Sequence, residues 1–171
     1  MSVRLRIFNA LVATIFLYNS ELWALTKKET KKIDTFQRNF LRQITRTKKR
    51  INNTSLYKKC KTVHWSIQIQ ERRLKWFGHL QRLPKETPAR KAYDEATKRP
   101  VKKLRGGQPL TWHRVIERDL NSINSNTKDA IIKAQDRDKY FSEVVTRVKA
   151  KAIDGLFPEA DLEEELSSAE E

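Results

Sequence analysis

Apolar residues return at helical rather than strand spacing along most of this chain, and that period limits the possible folds more than any other feature. The stretch from Thr26 to Ile44 states it most fully, with Ile33, Phe36, Phe40, Leu41 and Ile44 on one helical face. Thr26 and Glu29 have the T-x-x-E spacing of a capping box, in which two side chains satisfy backbone N–H groups that a helix start leaves open. The other faces are basic, with Lys27, Lys28, Lys31, Lys32, Arg38, Arg42 and Arg46, and Lys48, Lys49 and Arg50 follow before Asn52 and Asn53 break the pattern. Four Gly, five Pro and few alternating β-branched runs give strands and hairpins no support. The expected fold class is all-α: several amphipathic helices in one or two small bundles, a basic loop between them and a disordered acidic C-terminal tail.

Other segments follow the same rule. Residues 4–24 are apolar nearly all round (Leu5, Ile7, Phe8, Leu11, Val12, Ile15, Phe16), as in a helix packed on several sides, yet the chain offers few partners for it. A neighbour upstream of Met1 is therefore expected. Arg4 and Arg6 before the run Ile7 to Tyr18 also have the order of a targeting sequence, although no small-x-small cleavage site follows. The run is shorter than the roughly 20 residues of a membrane span. Buried helix, targeting segment and membrane anchor stay open, with the first preferred and no membrane partner expected.

A short helix is expected at 54–61. A longer one is capped by Ser66 and stopped by Pro84, with Ile69, Trp76, Phe77, Leu80 and Leu83 near one side. Gly78 in its middle costs about 1 kcal/mol relative to alanine, which predicts close approach of another backbone. Thr87 and Pro88 open a helix through Ala96. Residues 97–108 hold five bases, no acid, one Pro and two Gly, and read as a flexible loop. Thr111 caps a helix carrying Trp112, Val115, Ile116, Leu120 and Ile123, and a last stretch from Thr127 to Ala152 breaks near Asp136, with Phe141, Val144, Val145 and Val148 as its stripe. The expected segments are a thumb-like helical hairpin at 1–50, a basic helical segment at 51–96, the loop at 97–108, a helical segment at 109–153 and the acidic tail at 154–171.

Charge points to the partner. Lys and Arg number 36 against 21 Asp and Glu, a formal +15, and the eight acids from Asp154 to Glu171 face no base, so the body before them is more basic still. Such a body suits a polyanion, because each cation that neutralises a phosphate releases a condensed counterion. A solvated basic surface that only favours solubility is the alternative. Candidate phosphate contacts are Arg72, Arg73, Lys75 and Arg82 on one helix, His79 beside them, and Lys98, Arg99, Lys102, Lys103 and Arg105 on the loop. Nothing among them reads base edges, so contact with RNA or DNA would be sequence-independent. Trp23, Trp65, Trp76 and Trp112 could all stack on bases, but Trp76 and Trp112 belong to apolar stripes, and Trp65, just ahead of a helix cap, is the better candidate. Cys60 has no disulfide partner, and the chain reads as intracellular, nuclear and cytoplasmic. Cys60 and His64, with His79 distant, fall short of the four ligands of structural zinc, so neither a metal nor a cofactor is expected.

Three stretches carry a family resemblance: LYNSELWALTKKETKKIDTFQRNFLRQI from Leu17 to Ile44, RRLKWFGHLQRLP from Arg72 to Pro84, and RGGQPLTWHRVIERDL from Arg105 to Leu120. In order and spacing they resemble the C-terminal region of non-LTR retrotransposon endonuclease–reverse transcriptases, over roughly Arg4 to Val148. The resemblance implies a thumb followed by a basic helical extension that holds template RNA and target DNA, with the upstream polymerase domain as a further partner. Relatives often read R-G-R-P where this chain has Arg105-Gly106-Gly107-Gln108-Pro109, so the arginine needed for AT-hook-like insertion into a minor groove is missing. Reverse transcription uses a carboxylate pair to hold two metal ions. No Asp-Asp pair occurs here, and the chain is expected not to be an enzyme. A truncated retroelement reading frame without selected activity, and a helical protein-interaction or targeted protein, are the alternatives.

Overall fold

The computed structural model describes residues 3–46, 51–98 and 110–156, and among them every regular element is helical. Helix α1 is α-helical over Val3–Ile7, π-helical over Phe8–Ala13 and α-helical again over Thr14–Phe16. A 3-10 turn at Ser20–Leu22 leads to α2 (Lys27–Thr45), α3 (Asn53–Cys60), α4 (Trp65–Arg82), α5 (Pro88–Lys98), α6 (Trp112–Ser122) and α7 (Thr127–Ala134). Helix α8 begins at Arg137–Tyr140, widens to a π-helix over Phe141–Val145 and continues over Thr146–Leu156. The all-α class is thus observed. Residues 97–98, expected in the loop, are the end of α5, and residues 154–156, expected in the tail, are the end of α8, while residues 99–109 and 157–171 lie outside the described residues.

Several helix starts follow directly from their sequence. Thr26 Oγ1 accepts from Glu29 N while Glu29 Oε2 accepts from Thr26 N, which completes the capping box. Thr111, Asn126 and Asp136 cap α6, α7 and α8, and the cap at Asp136 is the break expected there. Two expectations fail. The first helix stops at Phe16 rather than near residue 24, because Leu17 leaves helical geometry and Asn19 takes the left-handed conformation (φ 53°) that asparagine tolerates. Ser66 is not the cap of α4, which already begins at Trp65. Its first amides are satisfied from α2 instead: Asp34 Oδ1 accepts from Ser66 N at 3.0 Å and Gln37 Oε1 from Trp65 N at 2.8 Å.

Helix α4 is the spine of the molecule, and its two halves enter different cores. Its N-terminal half gives Trp65 and Ile69 to a core with Leu5, Phe8, Leu17, Leu41, Leu56, Tyr57 and Cys60. Its C-terminal half gives Leu74 and Phe77 to a core with Ile116, Leu120, Ala130, Tyr140, Val144 and Val148. Residues on both sides of position 50 therefore share one core. In the second core Tyr140 explains Gly78. A Cβ at Gly78 would overlap the Tyr140 ring, with Cδ1 only 2.7 Å away, and the ring is held by its hydroxyl donating to Leu74 O at 2.8 Å. The close approach is that of an aromatic ring and not, as the sequence suggested, of a backbone.

Gly78→Ala is therefore expected to destabilise the protein by about 1–2 kcal/mol, the strain of overpacking exceeding the gain in helix propensity. A urea unfolding midpoint at or above that of the wild type would show that the ring yields.

One face of α1 has no partner among the described residues. Val3, Ile7, Leu11 and Ile15 recur every four residues and are each more than half exposed, Ile15 by 76%. A period of four drifts about 40° per step around an α-helix of 3.6 residues per turn. The wider π-turn at Phe8–Ala13 takes up part of that drift and keeps the stripe together. No helix of the described residues is long and apolar enough to cross a membrane.

Candidate nucleic-acid interface

Anchoring at both ends makes α4 a rigid platform. Asp34 and Gln37 hold its start, and Arg90 donates to Leu80 O and to Gln81 Oε1 at 2.9 Å near its end. Arg72, Lys75, Trp76, His79 and Arg82 are separated by three, one, three and three residues, which places them along one side of the helix over about 15 Å. Two adjoining hollows open along this side and share Lys75 and His79. One, of about 550 Å³, is also lined by Arg82, Arg137, Tyr140, Phe141 and Val145. The other, of about 350 Å³, is also lined by Glu21, Arg72 and Trp76.

The lining side chains are partly committed to the fold. Arg72 Nη1 donates to Leu17 O at 2.7 Å and Arg82 Nη1 to Ala134 O at 2.9 Å, so each satisfies a carbonyl at the end of a helical segment. A guanidinium has five N–H donors, and one such bond fixes the group while leaving others for the hollow. Lys75 Nζ lies 2.7 Å from Glu71 Oε1 and 5.2 Å from the centre of the Phe141 ring. Burial raises the pKa of Glu71, but the ammonium groups of Lys75 and Lys149 outweigh it, and the net direction is down. Glu71 is therefore ionised at neutral pH. His79 is exposed, with its ring centre 5.2 Å from that of Trp76. Arg137 is exposed in the first turn of α8.

Arg73 is the cation that this arrangement removes from the expected set. It is 4% exposed and turned inward, with Nε 2.7 Å from Asp119 Oδ2 and Nη1 donating to Trp23 O at 3.3 Å. Burial pushes the Asp119 carboxyl up, and the Arg73 guanidinium opposes that shift without cancelling it. Arg73 ties α4 to α6 and to the turn before α2, and its guanidinium is committed to these partners rather than to the two hollows. Lys98 is exposed at the end of α5, apart from both hollows, while Arg99, Lys102, Lys103 and Arg105 lie outside the described residues.

The aromatic assignments change places. Trp65, the expected stacking residue, is 1% exposed and packs against the rings of Phe8 and Phe16 at 5.8 and 4.5 Å. A nucleobase has no access to it. Trp76, expected in the core, is only half-buried and lines the smaller hollow. Trp112 keeps its packing role against the second core, its Nε1 donating to Glu21 O at 2.8 Å. Phe141, expected on the α8 core stripe, is 50% exposed and lines the larger hollow.

Arg137 and Phe141 are among the lining residues that the sequence did not point to. Arg137 had a signal, since the helix restart at Asp136 puts the next residue in an exposed first turn. Phe141 had none, because nothing in the spacing of Phe141, Val144 and Val148 announces the π-turn that separates them. Cys60 is buried, which pushes its thiol pKa up, and burial lowers the pKa of His64 more than nearby Asp34 raises it. Among the described residues no three His, Cys, Asp or Glu are grouped to hold a metal ion.

Comparison with known protein families, with curated proteins and with solved structures finds no match.

Proposed function

We propose that this chain is the noncatalytic C-terminal part of a non-LTR retrotransposon reverse transcriptase, its thumb and the helical extension that follows, and that it binds RNA or DNA along the phosphate backbone. The observation that carries the binding is the pair of hollows on α4, where Arg72, Lys75, Arg82 and Arg137 meet a single lining carboxylate, Glu21. The family assignment rests on the three sequence stretches, of which Arg72–Pro84 covers the part of α4 that builds this surface and Leu17–Ile44 supplies Glu21 from the turn ahead of α2. The exposed stripe of Val3, Ile7, Leu11 and Ile15, without a partner among the described residues, is the surface for the upstream polymerase domain, since a contiguous exposed apolar face marks a protein contact. Such a protein works where element RNA and target DNA are met, in the cytoplasm and nucleus.

If the four cations each neutralise one phosphate, log K falls with log salt at a slope of about −3 to −4, and affinity drops about 50- to 150-fold between 50 and 200 mM salt. Fluorescence anisotropy of labelled oligonucleotides across a salt series measures this. Replacing Lys75 or Arg137 by alanine is expected to reduce the slope by about 1 each. A slope near zero, or one that neither substitution changes, contradicts the proposal.

A further inference from the structure

The expected core stripe of α8 loses its largest member to the surface, and the place where that ring emerges carries the inference. Tyr140 stays inside, with its hydroxyl bound to Leu74 O, whereas the next residue, Phe141, starts the π-turn and stands half exposed in the larger hollow. Burying a phenylalanine fully stabilises a fold by about 1.5–3 kcal/mol, so this chain forgoes part of that gain at this position. The π-turn also gives up ordinary helical hydrogen bonding, and such turns recur at functional sites. Across Lys75 lies a second aromatic surface, the tilted pair Trp76 and His79 in the adjoining hollow. Lys75 thus lines both hollows, with half-exposed Phe141 in one and half-buried Trp76 in the other, and Arg137 and Arg82 line the larger one.

We propose that this channel is a single-strand site: one unpaired nucleobase stacks on Phe141, another on the Trp76–His79 pair, and the linking phosphates lie on Lys75 and Arg137. The inference rests on the nucleic-acid-binding reading above and adds to it the class of substrate. Aromatic rings interleaved with cations suit single strands because each unpaired base offers a flat π-face that a duplex keeps in its own stack. Stacking of this kind does not discriminate between bases, and the channel is therefore sequence-tolerant. It accepts ribose and deoxyribose strands by the same chemistry.

The test compares a labelled oligo-uridine RNA, an oligo-thymidine DNA and a duplex DNA of equal length, with the full chain and with Phe141→Leu and Trp76→Leu. Leucine keeps an apolar side chain for folding and removes the aromatic face, and far-ultraviolet circular dichroism confirms that each variant is helical. Either substitution is expected to weaken single-strand binding about 5- to 100-fold and to leave duplex affinity and the salt slope unchanged. Equal loss for single strand and duplex, or no loss for either, overturns the stacking inference while backbone binding stands. Absence of binding to all three at low salt overturns both.

Discussion

Arg73→Ala is expected to destabilise the protein by about 3–5 kcal/mol, because it leaves the buried Asp119 carboxylate without its hydrogen-bonded cation. Both side chains are almost fully buried, and the guanidinium also satisfies the Trp23 carbonyl. Losing it therefore loosens three elements together: α4, α6 and the turn ahead of α2. Urea unfolding followed by circular dichroism measures the effect. A loss below about 1 kcal/mol, the usual value of a surface ion pair, would show that solvent reaches the pair. The consequence for function is specific. A variant that combines Arg72, Arg73 and Lys75 replacements confounds unfolding with loss of phosphate contacts, so binding is tested with Arg73 intact.

Trp65→Ala is expected to cost a similar amount, about 3–5 kcal/mol, through lost burial and the cavity left behind. Its indole is packed among Phe8, Phe16 and Phe36 and joins α1 and α2 to the start of α4. Nucleic-acid affinity per folded molecule is expected to stay at the wild-type value, since the ring lies on the opposite half of α4 from the two hollows. Thermal unfolding monitored with and without oligonucleotide separates these effects. A stable variant that no longer binds would return Trp65 to the binding site.

Helix identity was legible in the sequence wherever a polar cap met a 3.6-residue apolar stripe, as at Thr26 with Glu29, at Thr111 and at Asp136. The long-range features were not. Asp34 caps α4 across 32 positions, a partnership that only the packing of α2 on α4 creates. The contrast between Arg72 and Arg73 was equally hidden: adjacent residues on a helix point about 100° apart, and one faces a hollow while the other meets Asp119. The exchange of Trp65 and Trp76 has a related cause. Position 65 lies at a helix start that tertiary contacts cover, and position 76 lies beside the buried line Ile69, Leu74 and Phe77 rather than on it.

The apolar excess of α1 was visible from the start as a helix with too few partners, and its exposed stripe is the structural form of that excess. The π-turns in α1 and α8 left no trace in the residue pattern. Each changes which side chains share a face, and in α8 this brings Phe141 to the channel.

The measurement that bears most directly on the binding surface is the affinity of a labelled single strand for two doubly substituted chains of equal charge. One carries Lys75→Ala with Arg137→Ala in the channel, and the other carries Lys27→Ala with Lys31→Ala on the exposed basic face of α2. The channel variant is expected to lose about a hundredfold in affinity, from two charged contacts worth about 1.5 kcal/mol each, while the α2 variant stays close to the wild type. Equal losses in the two variants would mean that diffuse positive charge holds the nucleic acid, and the assignment of the site to α4 and α8 would be wrong.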